Sequence, residues 1–201
     1  MADPALFCGA PPCNTAGVNQ HLERPGTALL IIDLQKDVLA QCVDTTGVLA
    51  RTAVLIGRAR ASQLPVIFVQ HEEPDMPRHS SGWELDPSLP VQPGDALVFK
   101  SYRDSFEDTT LAAELARLDV GRLIVAGAQS DYCVRTTAHR AAIEGYDLVL
   151  VSDCHTTEDT EFGGVPVTGE QIVAHTNQYF SGLDYPGGSY GIATHLAVAL
   201  A

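Results

Sequence analysis

The run TALLIID, residues 27–33, is almost unbroken in its apolar character and ends on an acid. Such a run is long enough for a strand and too short for a helix, and its lack of alternation implies burial on both faces. Similar runs recur at LPVIFVQH (64–71), DALVFK (95–100), RLIVAG (122–127) and DLVLVSD (147–153), with a short last one within YGIATHL. Helical patterns fill the intervals. GVLARTAVLIGRARAS (47–62) places Val48, Ala50, Val54, Leu55 and Ala59 on one stripe, and TTLAAELARL (109–118) forms a second helix. SDYCVRTTAHRAAIEG turns Val134, Ala138, Ala141 and Ala142 one way and offers Gly145 as its C-cap. TGEQIVAHTNQYFSG (168–182) opens with Thr168 and Gln171 at capping-box spacing. Strands separated by helices demand right-handed crossovers, so the expected class is α/β with a largely parallel, helix-flanked sheet.

In such sheets ligands gather outside the carboxyl ends of the strands. Three chemically useful side chains stand at those ends: Asp33 after the first strand, Lys100 after the third, and Cys133 in the segment following the fourth. Each alone has an ordinary explanation as a helix cap, a solvated end residue or a packed thiol. Their coincidence on one edge points to chemistry. A thiol near pKa ~8.5 becomes more acidic at a helix N-terminus or beside a cation, and Cys133 is expected to have both. Asp33 is placed to act as base toward the thiol and as acid toward a leaving amine. GAQSDYCVRTTAHRAA (127–142) adds a glycine turn and backbone amides converging at a helix start, which suits an oxyanion.

Composition narrows the partners. The 201 residues carry a net charge of −13, which disfavours nucleic acid and anionic membrane surfaces as partners. No apolar run reaches the roughly 18 residues that cross a bilayer, and the leader MADPALFCGAPPCNTAGVNQ lacks the layout of a signal peptide. The five cysteines are irregularly spaced and suggest no disulfide framework, so a cytoplasmic setting is expected. Cys42 and Cys154 read as small core residues, while Cys8 and Cys13 fall in the leader. The expected organisation is an N-terminal arm, 1–26, and one domain, 27–201, with a Pro/Gly/Ser-rich loop over 72–94.

The chain resembles the isochorismatase-like cysteine hydrolases, the group that includes nicotinamidase and N-carbamoylsarcosine amidase. The resemblance rests on ALLIIDLQKD, KSYRDSFEDTTL, VAGAQSDYCVRTTAHRAAIEGYDLVLVSDCHTT and TGEQIVAHTNQ, which occur in family order across roughly 27–195. It implies a three-layer α-β-α sandwich with a Rossmann-like sheet of about six strands and an Asp33–Lys100–Cys133 catalytic triad. It also implies a cis peptide between Ala128 and Gln129 that aims the Gln129 and Cys133 amides into an oxyanion hole, and a homo-oligomer (dimer or tetramer). Nicotinamidases of the group hold a divalent metal through an Asp-x-His pair and a further His. LQKDVLAQCVDTTG after Asp33 contains no histidine, and His71, Glu72 and His79 are scattered loop residues, so neither a metal nor another cofactor is expected. Trp83, Tyr102, Tyr132 and His71 are the expected substrate-binding residues, with Phe106 and Phe162 as further candidates for the pocket wall.

The expected activity is hydrolysis of a C–N bond in a small-molecule amide, carbamoyl compound or lactam through a covalent Cys133 intermediate. The alternative is a non-catalytic small-molecule-binding or regulatory member of the same fold. A flavodoxin-like nucleotide binder is excluded, because LQKDVLA replaces the glycine-rich phosphate loop after the first strand.

Overall fold

The computed structural model describes residues 23–200, so Cys8, Cys13 and most of the expected arm lie outside the described residues. Among the described residues eight strands form: β1 (Gly26–Ile32), β2 (Val66–His71), β3 (Ala96–Lys100), β4 (Val120–Ala128), β5 (Asp147–Thr156), β6 (Thr160–Phe162), β7 (Val165–Val167) and β8 (Tyr190–Ala193). The helices are α1 (Lys36–Leu39), α2 (Thr45–Ala61), α3 (Leu111–Arg117), α4 (Arg135–Ile143) and α5 (Gly169–Ser181). Six strands make one sheet in the order β3-β2-β1-β4-β5-β8, every pair parallel. The expected three-layer α/β fold is the observed one. The first strand begins at Gly26, a residue earlier than the expected domain start.

Strand periodicity explains the layers, since neighbouring residues face opposite sides. Leu30, Ile32, Ile67, Val69, Leu123 and Val125 pack on one side with Leu111 of α3, Ala138 of α4 and Phe180 of α5. Leu29, Ile31, Val66, Phe68, Ile124 and Ala126 pack on the other with Leu55, Ile56 and Ala59 of α2. The buried face of α2 differs from the expected stripe. Val48, Leu55 and Ala59 are buried, but Ala50 and Val54 point outward and Leu49, Thr52 and Ile56 take their place. Apolar residues run around most of this helix, so its composition alone does not mark the inner side.

The capping box at Thr168 forms as expected, with Thr168 Oγ1 accepting from Gln171 N and Gln171 Oε1 accepting from Thr168 N. Gly145, at φ +90°, follows α4 as expected. The small antiparallel β6–β7 hairpin was not anticipated, because its three-residue strands carry no usable periodicity. Among the described residues, no helix is long and apolar enough to cross a membrane.

Candidate active site

Strand order places the site. β1 lies between β2 and β4, so successive connections leave it in opposite directions and open a crevice at its carboxyl end. Asp33 follows β1 with φ +50°, a left-handed conformation that aspartate tolerates better than most residues. Across from it, Gly127 has φ +139°, and a Cβ there would lie 2.1 Å from the Ile32 carbonyl oxygen. Only glycine lets β4 run this close to β1 beside Asp33.

After β4 the Ala128–Gln129 peptide is cis, and residues Ser130–Val134 form a single π-helical turn leading into α4. The Tyr132 and Val134 amides both donate to the Gln129 carbonyl, at 3.1 and 3.2 Å. Cys133 thus sits in a widened turn, a local form that recurs at functional sites, rather than in the first turn of α4. A buried chain backs this turn. Asn177 Nδ2 donates to the Ser152 carbonyl, which leaves Asn177 Oδ1 to accept from His155 Nε2 at 3.1 Å. His155 Nδ1 then accepts from the Ser130 hydroxyl at 2.7 Å. Burial pushes the His155 pKa below the usual histidine range, which favours the neutral ring that this chain requires.

Lys100, the last residue of β3, is wholly buried and reaches across the end of β2. Its ammonium lies 2.6 Å from Asp33 Oδ2 and donates to Cys133 Sγ at 3.2 Å and to the Tyr102 carbonyl at 3.1 Å. His71 Nδ1 is 3.2 Å away on another side. Burial works against the Lys100 charge, but Asp33 and the Cys133 sulfur outweigh it and raise the pKa above the usual lysine value. Among the described residues, no other donor is aligned on either Asp33 oxygen. The carboxylate is therefore offset by the ammonium and faces the thiol.

The thiol itself departs from expectation. Burial and the Asp33 charge push the Cys133 thiol up to about 12 against the lowering by Lys100, the opposite direction to the one expected. The cation that was expected to ionise the sulfur is already committed to Asp33.

Asp33, Cys133 and Gln129 border an open cavity of about 460 Å³. Of the four expected substrate-binding residues, His71 and Tyr132 line this cavity, whereas Trp83 and Tyr102 do not. Trp83 is buried beside Phe99 and His79, and its carbonyl accepts from Gln35 and Gln70, so it braces the 72–94 loop. Tyr102 is 56% exposed, and its carbonyl accepts from Lys100. Phe106 is packed against Tyr146 in the core, and Phe162 is exposed on the hairpin. Gln35 is the support that the sequence reading missed. Its side chain both accepts from His71 N and donates to His71 O, fixing the end of β2. Asp37, Glu73, Asp75, Arg103 and Glu158 also line the cavity, and loop residues of this kind carry no periodic signal.

Cys154 is a buried core residue, as expected. Cys42 is half-buried and touches the site instead, with its sulfur 3.7 Å from Gln129 Nε2 and its pKa pushed up to about 11 by burial. His71, Glu72 and His79 do not converge, since Glu72 binds Arg78 and His79 packs on Trp83. Among the described residues, Asp153, Cys154 and His195 alone bring three potential metal ligands within 4.8 Å of one another. They satisfy one another: Asp153 Oδ2 meets His195 Nδ1 at 2.7 Å, and burial holds the Cys154 thiol protonated at about 12.

Comparison with known proteins agrees with this arrangement. Residues 27–163 match the model of the isochorismatase domain. A streptothricin hydrolase of Streptomyces noursei is 39% identical over 145 residues, covering 68% of this chain and 56% of the relative. The chain thus spans about half the length of the streptothricin hydrolases that it matches. Nicotinamidase 3 of Arabidopsis thaliana is 26% identical over 67% of this chain and 75% of its own. Among solved structures, an isochorismatase from Pseudomonas putida superposes with a TM-score of 0.76 at 27% identity, covering 85% of this chain and 88% of that one. An isochorismatase family protein gives a TM-score of 0.75 at 30% identity over 84% and 98% of the two chains. The chain belongs to the isochorismatase family of hydrolases.

Proposed function

We propose that this hydrolase cleaves a C–N bond of a small-molecule amide, carbamoyl compound or cyclic amide through a covalent Cys133 intermediate. The observation that carries the reading is the buried contact of Asp33, Lys100 and Cys133 at the edge of one open cavity. Two relatives bear names that denote hydrolysis of a small molecule, streptothricin in one case and nicotinamide in the other.

The steps follow from the groups in contact. Cys133 attacks the substrate carbonyl carbon as its proton passes to Asp33, and an S–C bond forms while the carbonyl oxygen takes the negative charge. The Gln129 and Cys133 amides are assigned as the donors to that oxygen, a role worth about 3 kcal/mol per donor in other acyl-transfer sites. The C–N bond then breaks as Asp33 returns the proton to nitrogen, releasing ammonia or amine, or opening the ring of a cyclic amide. Water attacks the thioester, passing a proton to Asp33. The S–C bond breaks, and the thiolate recovers that proton. Lys100 remains protonated throughout, holding Asp33 in place and stabilising sulfur while it carries charge.

The test is ammonia or amine release from a panel of amides, carbamoyl compounds and lactams, with Cys133→Ala beside the unaltered protein. The variant is expected to lose all measurable turnover. Turnover retained by the variant would remove the nucleophile and the mechanism with it.

A further inference from the structure

Gln129 and Cys133, whose amides are assigned to the oxyanion, bracket Ser130, Asp131 and Tyr132 in the π-helical turn. Two of these three bracketed residues are tied to the end of β5 through their side chains. Ser130 Oγ donates to His155 Nδ1 at 2.7 Å, and Asp131 Oδ1 accepts from the Thr157 hydroxyl at 2.7 Å. β5 reaches the turn because it runs beside β4 to the last residue, with Gly127 opposite His155 and Ala128 opposite Thr156.

The tethers are buried: Ser130 and Thr157 are fully enclosed, and His155 is 2% exposed. Both are also held from behind. His155 Nε2 donates to Asn177 Oδ1 of α5, and the Val43 N–H donates to the Thr157 carbonyl at 2.9 Å. Direction is fixed as well. Asn177 gives its amide proton to the Ser152 carbonyl, so a neutral His155 carries its proton on Nε2 and accepts at Nδ1 from the Ser130 hydroxyl. Apolar side chains would fill this space without the cost of burying polar groups. What a fully satisfied polar chain adds is one defined arrangement of the turn.

We infer that His155 and Thr157 are positioning residues for carbonyl chemistry at Cys133: through Ser130 and Asp131 they hold the Gln129 and Cys133 amides on the substrate's carbonyl oxygen. The inference rests on the reading of those two amides as the oxyanion donors. Among the described residues, neither His155 nor Thr157 bonds to Asp33, Lys100 or the Cys133 sulfur. Their loss therefore impairs the carbonyl step and leaves the reactivity of the thiol alone.

Two substitutions of matched shape separate the acceptor from the packing. His155→Asn places a side-chain oxygen where Nδ1 stands, and His155→Leu places a methyl group there. The probe is propanal. The Cys133 S–H adds reversibly across its C=O, an S–C bond forming as the proton passes to oxygen, so the adduct puts an oxygen in the hole. Protection of Cys133 from methyl methanethiosulfonate, read by mass spectrometry, gives the affinity. That reagent forms a methyl disulfide, releases methanesulfinate and makes no oxyanion, so its rate without propanal reports the thiol by itself.

His155→Leu is expected to lower propanal affinity by about 10-fold, whereas His155→Asn keeps most of it, and the disulfide-forming rate is unchanged in both. Leucine is the better buried residue of the two, so a role in stability alone predicts the reverse ranking, following the melting temperatures. Thr157→Val and Thr157→Ser repeat the contrast at the other tether, which keeps the test decisive if the His155 variants do not fold. Equal affinities within each pair, affinities that track melting temperature, a disulfide-forming rate that falls in step, or no protection of the unaltered protein overturns the inference.

A second arm uses any amide of the panel that the unaltered protein hydrolyses. His155→Leu is expected to lower kcat by about 100-fold with KM unchanged, and a change confined to KM overturns the inference. Amide turnover without the propanal contrast removes the inference and leaves the amidase standing. The propanal contrast without turnover of any amide supports the inference and counts against the amidase.

Discussion

Burial and the Asp33 carboxylate keep the Cys133 proton on sulfur, and that sets how its reactivity depends on pH. An ordinary exposed thiol gains alkylation rate with pH until it ionises near ~8.5. Here the folded pKa is raised to about 12, so the thiolate fraction is small throughout the neutral range. If Asp33 accepts the proton as sulfur reacts, the rate does not wait on free ionisation of the thiol. Iodoacetamide alkylation of Cys133, followed by mass spectrometry, is then expected to stay flat between about pH 6 and about pH 9, well below the raised Cys133 value. A rise that levels near pH ~8.5 would reveal a freely ionising thiol and remove the role given to Asp33. Asp33, Lys100 and Cys133 were legible because a parallel sheet brings strand ends together, whatever the loops do. Trp83 and Tyr102 were misplaced for the opposite reason. A loop aromatic identifies itself as bulky but not which way it points, and here the loop is braced by Gln35 and Gln70.

At the scale of elements, β1 and β4 carry the site between them, and their closeness depends on one missing side chain. Gly127→Ala would place a Cβ 2.1 Å from the Ile32 carbonyl oxygen, in a backbone conformation with φ +139°. Neither neighbour can yield cheaply, because both are central strands. The expected cost is about 3 kcal/mol, at the upper end for overpacking, read as a lower urea midpoint with an unchanged slope. A variant of undiminished stability would show that β4 can move away from β1. The strands were legible because burial on both faces leaves continuous apolar runs. The inner side of α2 was not, since Val54 is as apolar as Leu55 and only packing tells them apart. The β6–β7 hairpin was invisible for want of length.

Taken as a whole, the molecule closes its C-terminal end by many small bonds rather than by a large apolar face. Arg58 donates to the carbonyls of His195 and Val198, Arg122 donates to the Ala199 carbonyl at 3.0 Å, and Asp153 binds both the backbone N–H and the ring of His195. These bonds hold the segment after β8 against α2, β4 and β5. The edge that carries Lys100 is arranged differently. A lysine ammonium has three protons to donate, and Lys100 has four acceptors around it: Asp33 Oδ2, the Tyr102 carbonyl, His71 Nδ1 and Cys133 Sγ. With His71 Nδ1 unprotonated, three protons face four acceptors, and one acceptor is left wanting. Converting the sulfur to a thioester or a disulfide withdraws electron density from it, makes it a poorer acceptor and leaves the three protons to the oxygen and nitrogen partners. If Cys133 is acylated as proposed, the modification relieves this competition at the ammonium and lowers the cost of holding an intermediate in a buried site. Protein carrying a methyl disulfide at Cys133, formed with methyl methanethiosulfonate, is accordingly expected to melt no lower than the unmodified protein in a thermal scan, despite the added bulk. A lower melting temperature would mean that the resting contacts were already satisfied.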